Sequence, residues 1–376
     1  MGADRQAVQC PQTSRESGAI SMSGKRIGKD KRRTIHGSAP VRMKDIARDL
    51  GLSTVTISKV LRGHPDIGEE TRAIVQKRIE ELNYQPNLAA RALITGRSST
   101  IGLVVPDLLH PFFAQIAKGV SAGIRGQGYN LMITSSEEDP QLERQEIEQL
   151  MARRVDAIVI ASTQWSVESF RRIEGKGIPY VLIDRLFAGL AANFVGVDDK
   201  AVGLLATNHL IEQGCRYIAH IRGPETSTAL GRLEGYKLAL SANGLAPIPD
   251  HVISIGTSGD DRGEPGGYEA AKKLLSTRPR PDGIFCFNDP IALGVMRAIL
   301  DAGLRIPEDI AVVGCGNVLY SDFLRVPLTS VDQDSLEIGK LAAELALSLV
   351  NEKGLTPPKI KLITPQLIAR ASTLRK

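Results

Sequence analysis

The chain has 376 residues, 42% of them hydrophobic and 24% charged, with a formal net charge of +5. That length accommodates more than one domain and a substantial core. No apolar run approaches membrane-spanning length, the first 40 residues lack the apolar stretch of a secretory signal, and the cysteines at 10, 215, 286 and 315 are too scattered for a disulfide framework or a zinc site. We therefore expect a cytoplasmic protein without metal or cofactor, its thiols buried or incidental. The charge is uneven. Residues 1–97 hold eighteen Lys/Arg against ten Asp/Glu, net +8, and residues 98–376 hold 29 against 32, net −3. A basic N-terminal part favours phosphate contacts. Residues 1–40, with the run Lys29-Asp-Lys-Arg-Arg33, are too polar to bury a core and read as a disordered basic extension.

The first periodic segment places Met43, Ile46, Ala47 and Leu50 at i, i+3, i+4 and i+7, one face of a helix. Gly51 can take the left-handed conformation of a sharp helix exit, and Ser53 can cap a second helix. On that second helix Ile57, Val60 and Leu61 form the inward stripe. Thr54, Val55, Thr56, Ser58, Lys59 and Arg62 are left outside. The pattern fits a DNA-binding helix-turn-helix, whose second helix meets base edges with its N-terminal residues and phosphates with hydroxyls and cations. It fits an ordinary helical hairpin equally well. A third helix is expected from Glu69 to Leu82, with Val75, Ile79 and Leu82 on one side. Pro86 then blocks smooth continuation, and Asn87 can cap a short helix, Leu88 to Leu93, that carries Arg91.

The run from Val41 to Gly96 resembles the headpiece of the LacI/GalR repressors. The residues that carry the likeness are Asp45-Ile-Ala, Thr56-Ile-Ser58-Lys59-Val60-Leu61 and Leu82-Asn83-Tyr84-Gln85-Pro86-Asn87. The resemblance implies that Thr54, Val55 and Lys59 read bases, with Thr56 and Ser58 near phosphates. Lys59 stands where many members carry arginine, which removes the bidentate geometry arginine offers to guanine. It further implies a hinge helix whose Leu93 wedges into the minor groove, with Asn87 and Arg91 also on DNA. As an isolated leucine, Leu93 also suits plain packing.

Beyond Gly96 the rhythm changes to apolar runs alternating with helical segments. Strands are expected at 101–105, 131–134, 157–160, 180–183, 217–221, 283–286 and 310–313, which argues for parallel sheets covered by helices on both faces. The segment Gly256 to Gly267 reads as a loop. Val104-Val-Pro-Asp107 with His110-Pro-Phe-Phe113, Arg154-Val-Asp-Ala-Ile158, Leu182-Ile-Asp-Arg185, Gly231-Arg-Leu-Glu-Gly-Tyr236 and Phe287-Asn-Asp289 with Ala292-Leu-Gly294 extend the resemblance to the family's effector-binding core. That core is related to periplasmic sugar-binding proteins. The fold class implied is a helix-turn-helix headpiece (41–86), a hinge helix and linker (87–98) and a two-lobed α/β core (99–376). Lobe one would take about 99–196 and 334–362, and lobe two about 197–333 and 363–376, with the ligand between them.

Strand ends are where open α/β sheets place their sites. There Asp107, Asp184 and Asn288 can exchange hydrogen bonds with hydroxyls. Arg232 can bind a hydroxyl pair or a carboxylate, and Phe112 can stack on an apolar sugar face. Arg185, Phe113 and Asp289 complete the motif residues. Asp107 and Asp184 also suit helix caps, Asp289 suits a cap of the helix that follows it, and Phe112 or Phe113 suits the core. The family's effector arginine matches Arg232. One departure matters. Many members carry Gly-Tyr-Asp-Asp or Gly-Phe-Asp-Asp, whose first aspartate contacts the effector, where this chain has Gly314-Cys315-Gly316-Asn317. Asn317 is left to take over part of that work.

No Gly-x-Ser-x-Gly elbow, Walker loop, Gly-x-Gly-x-x-Gly fingerprint or His-Glu-x-x-His is present, so no constellation supports an enzyme. A solute-binding or receptor-type protein would explain the core alone. The resemblance implies a transcription regulator, most often a repressor, acting as a homodimer on a near-palindromic double-stranded DNA operator under a carbohydrate effector. With Lys376 shortly after Ala369-Arg-Ala-Ser-Thr-Leu-Arg375, the extra C-terminal helix that makes some members tetramers is not expected, and a dimer is the expectation.

Overall fold

The structure is a computed structural model and describes residues 41–61, 63–85, 92, 96–164, 166–256, 263–352 and 357–375. The N-terminal extension, most of the expected hinge helix, Arg62, Asn87, Arg91, Leu93 and Cys10 lie outside the described residues. The chain divides into two compact units, 1–86 and 87–376.

In the first unit α1 (Met43–Leu50), α2 (Thr54–Leu61) and α3 (Glu69–Glu81) pack together. Asp45 accepts from the Arg42 N–H at 3.0 Å and opens α1, and Gly51 closes it at φ 64°. Ser53 accepts from the Thr56 N–H at 3.0 Å and starts α2. Ile46, Ala47, Ile57, Val60, Val75 and Tyr84 are buried together. Arg78 ties α3 to α1 through Asp49 at 2.6 Å.

The second unit contains two six-stranded sheets. The first orders β11 (Ile360–Ile363), β5 (Asn193–Val197), β4 (Tyr180–Ile183), β3 (Ala157–Ile160), β1 (Thr100–Val105) and β2 (Asn130–Ser135), all parallel. The second orders β12 (Gln366–Ile368), β10 (Thr329–Asp332), β9 (Ala311–Cys315), β8 (Gly283–Cys286), β6 (Ile218–Arg222) and β7 (Val252–Ser254), parallel except for the antiparallel β10–β12 pair. Central strands β3, β4, β8 and β9 are buried along their whole length, as sheets covered on both faces require. Helices α4 (Pro111–Arg125), α5 (Pro140–Ala152), α6 (Glu168–Gly175) and α11 (Ser335–Asn351) cover the first sheet, and α7 (Asp199–Glu212), α8 (Ser227–Ala242), α9 (Gly263–Ser276) and α10 (Asp289–Asp301) the second. The chain passes between the sheets after β5, β10 and β11.

The expected loop at Gly256 to Gly267 is corrected in its last part, because α9 starts at Gly263. Its last glycine serves packing: a Cβ on Gly267 would lie 2.2 Å from the Ile291 carbonyl oxygen of α10. Strands β5, β7, β10, β11 and β12 add to those expected from sequence.

Candidate functional site

Two surfaces carry chemistry. On the first unit, burying Ile57 and Val60 leaves the opposite face of α2 to solvent. Thr54 is exposed, Val55 is 61% exposed, and Thr56, Ser58 and Lys59 are partly exposed. The Thr56 and Ser53 hydroxyls lie 2.9 Å apart. Lys59 donates to Asp66 in the turn after the helix, at 2.5 Å.

On the second unit a cavity of about 580 Å³ lies between the two sheets, at the C-terminal ends of their strands. Asp107 follows β1, Asp184 follows β4, Asn288 follows β8, Gly316 follows β9 and Gln333 follows β10. Of the residues expected here, Asp107, Phe112, Phe113, Asp184, Arg185, Arg232 and Asn288 all line it. Phe112 and Phe113 meet edge to face at 5.2 Å. Asp107 is turned into its own loop, where it accepts from the Leu109 N–H at 2.7 Å.

The two arginines are held from behind. Arg232 Nε donates to Asp199 at 2.9 Å and Nη1 to the Phe287 carbonyl at 2.6 Å, with the guanidinium 4.5 Å from the Phe287 ring centroid. The second terminal nitrogen has no protein partner among the described residues. Arg185 grips Glu138 with both terminal nitrogens, at 3.1 and 3.3 Å, and Nη1 also reaches the Ser162 carbonyl. Asp184, 3.8 Å from Arg185, adopts φ 64°. Burial pushes the Asp184 carboxyl up, opposed by both guanidiniums. Burial likewise raises Asp199 to about 6 against the pull of Arg232.

Asp289 and Asn317 are corrected. Asn288, not Asp289, caps α10, its Oδ1 accepting from the Ile291 N–H at 3.0 Å. Asp289, at the next position, points back into the protein with no exposed surface, accepting from the Val318 N–H at 2.9 Å and the Ser330 hydroxyl at 2.7 Å. Burial raises it to about 6. Asn317 donates to Asp332 and accepts from Arg370, each at 2.8 Å, and does not line the cavity. Gly316 does line it, at φ 123°.

Sequence reasoning gave no cavity role to Glu138, Cys315, Tyr320 or Gln333, which line it. The Cys315 thiol donates to Gln333 Oε1 at 3.3 Å, and burial pushes it up to about 12. Gln333 Nε2 is buried without a hydrogen-bond partner among the described residues. His110, whose place beside Pro111 suggests a cleft position, caps α4 and lines the cavity. Its Nδ1 faces the Phe112 N–H and its Nε2 faces Asn288 Nδ2, each at 3.3 Å. A neutral imidazole has one acceptor nitrogen, so only one of the two contacts can be an accepted hydrogen bond in a given tautomer. The second joins the lobes, as does the Leu186 N–H, which donates to Ser227 Oγ at 2.9 Å.

Residues 42–87 match the bacterial regulatory proteins of the lacI family, and residues 207–373 match a periplasmic binding protein-like domain. Over 336 residues the chain is 35% identical to the ribose operon repressor of Escherichia coli (strain K12), across 88% of this chain and 99% of the relative. The chain belongs to the lacI family. This lacI-family protein is also 33% identical to the HTH-type transcriptional repressor PurR of Haemophilus influenzae (strain PittEE), across 88% of the chain and 98% of the relative. Among solved structures it is similar to the Lac repressor dimer bound to operator and the anti-inducer ONPF, with a TM-score of 0.78 at 26% identity, covering 90% of this chain and 100% of that one. It is similar as well to a LacI family regulator from Enterococcus faecium with bound ribose, with a TM-score of 0.64 at 28% identity, covering 73% and 98%. The expected fold class, a helix-turn-helix headpiece with a two-lobed α/β core, is borne out. As a lacI-family member the protein is a DNA-binding transcription regulator. No helix among the described residues is long and apolar enough to cross a membrane.

Proposed function

We propose that the protein is a cytoplasmic, non-enzymatic repressor that binds a near-palindromic operator as a homodimer and responds to a small uncharged sugar of the ribose type. The observation that carries the effector class is the pairing of both cavity guanidiniums with carboxylates, Arg185 with Glu138 and Arg232 with Asp199. No positive charge is left over for an anion, whereas Asp184 and the remaining Arg232 nitrogen supply the acceptor and donor that hydroxyls need. The relatives named ribose operon repressor and the ribose-bound neighbour support the same class.

On this reading residues 41–86 form the headpiece, 87–98 the hinge and linker, and 99–376 the effector-binding core with its two lobes. Thr54, Val55 and Lys59 read bases. Thr56 and Ser58 hold phosphates, and Asn87, Arg91 and Leu93 act in the hinge. The linker end is anchored on lobe one, which lets lobe movement reach it: Arg97 donates to Asn351 and the Val350 carbonyl at the end of α11, and Asp156 accepts from the Ser98 and Ser99 N–H groups.

The test is selection of genomic DNA fragments by the purified protein, followed by titration of ribose, ribose 5-phosphate and hypoxanthine against the selected site. An enriched palindrome whose affinity changes with ribose alone supports the reading. A response to the phosphate or the purine alone replaces the effector class, and binding without sequence preference removes the repressor.

A further inference from the structure

In the headpiece a carboxylate is built against the one cation assigned to base reading. Lys59 Nζ lies 2.5 Å from Asp66 Oδ2, and the other carboxylate oxygen lies 2.5 Å from His64 Nδ1. The turn that carries Asp66 is itself fixed. The His64 N–H donates to the Lys59 carbonyl at 3.0 Å, Arg72 donates to the His64 carbonyl at 2.9 Å, and Ile67 packs on the headpiece core.

We propose that Asp66 is a positioning residue for DNA recognition, which holds the Lys59 ammonium at one place on the exposed face of α2 and withdraws its charge from the phosphates. The proposal rests on the reading that this face meets DNA. An exposed ion pair adds little to stability, so a purely structural role leaves the pair unexplained. A lysine is otherwise a flexible point charge that settles on any phosphate. Held by Asp66, it releases no counterion of its own, yet it keeps two N–H donors for a base acceptor. The Asp66 carboxylate also repels a phosphate that approaches in the wrong register.

The experiment measures binding of the full chain to a random-sequence duplex, and to the selected fragment, over a range of salt concentrations. Asp66→Asn is expected to steepen the salt dependence on the random duplex by about one counterion and to raise that affinity about three- to tenfold. Preference for the selected fragment should fall by about tenfold. Asp66→Glu should keep the wild-type slope. In a Lys59→Gln background Asp66→Asn should no longer change the slope. An unchanged slope in the single variant, or the same change with and without Lys59, overturns the proposal, because Asp66 would then act through its own charge or not at all. Failure of the wild type to select any fragment counts against DNA reading by this face, while the random-duplex slopes still decide on Asp66.

Discussion

Arg232 owes its orientation to a carboxylate behind it, since Asp199 and the Phe287 carbonyl fix Nε and Nη1 before any ligand arrives. Its remaining nitrogen therefore meets a ligand without first losing side-chain freedom. Arg232→Ala is expected to weaken effector binding about 10- to 100-fold, the range for losing a charged hydrogen bond, and to leave operator affinity within about twofold. Effector titration of operator binding checks both. Arg232→Lys should not rescue, because an ammonium cannot span the same two acceptors. His110 gives a pH signature. Burial pulls its pKa down from 6.5 to about 4, so its contribution to stability is present above 6.5 and is lost as pH falls from 6.5 toward 4. Asp199 and Asp289, raised to about 6, act oppositely, their contributions being lost as pH rises through about 6. Comparing wild type with His110→Gln isolates the histidine. The variant should lose less stability on acidification, by a slope of up to about 1.4 kcal/mol per pH unit, as read by denaturant unfolding.

The same scale shows what the sequence makes visible. Polar residues just past apolar strands identify Asp184 and Asn288 as site residues, because strand ends are open to ligands. Which of two adjacent polar residues faces outward depends on where a helix begins. Asn288 occupies the cap, so the next position, Asp289, turns into the core. Gln333 follows the short strand β10, whose four residues Thr329–Asp332 carry no clear alternation, and its one pointer is the polar run around it.

At the scale of elements, glycines set how closely the helices approach. A Cβ on Gly235 of α8 would sit 2.1 Å from the Lys200 carbonyl oxygen of α7, and one on Gly203 of α7 would sit 2.2 Å from the Arg232 carbonyl oxygen. This close crossing brings Asp199, at the start of α7, against Arg232 on α8. Gly119 of α4 and Gly339 of α11 make the equivalent crossing in the first lobe. Gly235→Ala is expected to push α7 and α8 apart, costing about 1–3 kcal/mol. Effector affinity should fall with it because Arg232 moves relative to Asp199. Thermal unfolding and effector titration of the same sample test both; a loss of stability with unchanged affinity would show that the crossing does not position Arg232. The sequence marks such glycines only as breaks, which is why Gly263–Gly267 reads as a loop although it opens α9.

At the scale of the whole molecule, alternating strands and helices announce parallel sheets, but they do not say which strand joins which sheet. β11 and β12 are separated by two residues yet lie in different sheets, an arrangement with no local signal. If the lobes move as bodies about the cavity, the Leu186 N–H bond to Ser227 Oγ is one contact that such a movement must make or break. Ser227 does not line the cavity that holds Arg232 and Asp184. If the effector binds the arrangement in which these lobes touch, removing the hydroxyl leaves the Leu186 N–H unpaired there and free to meet water when the lobes part. The apparent affinity then falls by the fraction of molecules that leave the competent state. Ser227→Ala should thus raise the effector Kd about three- to tenfold, with no change in which sugars bind and little change in operator affinity without effector. Calorimetric titration of the isolated full-length protein reads the Kd directly. An unchanged Kd would place the lobe contact outside the ligand-binding equilibrium and leave the cavity side chains as the sole source of affinity.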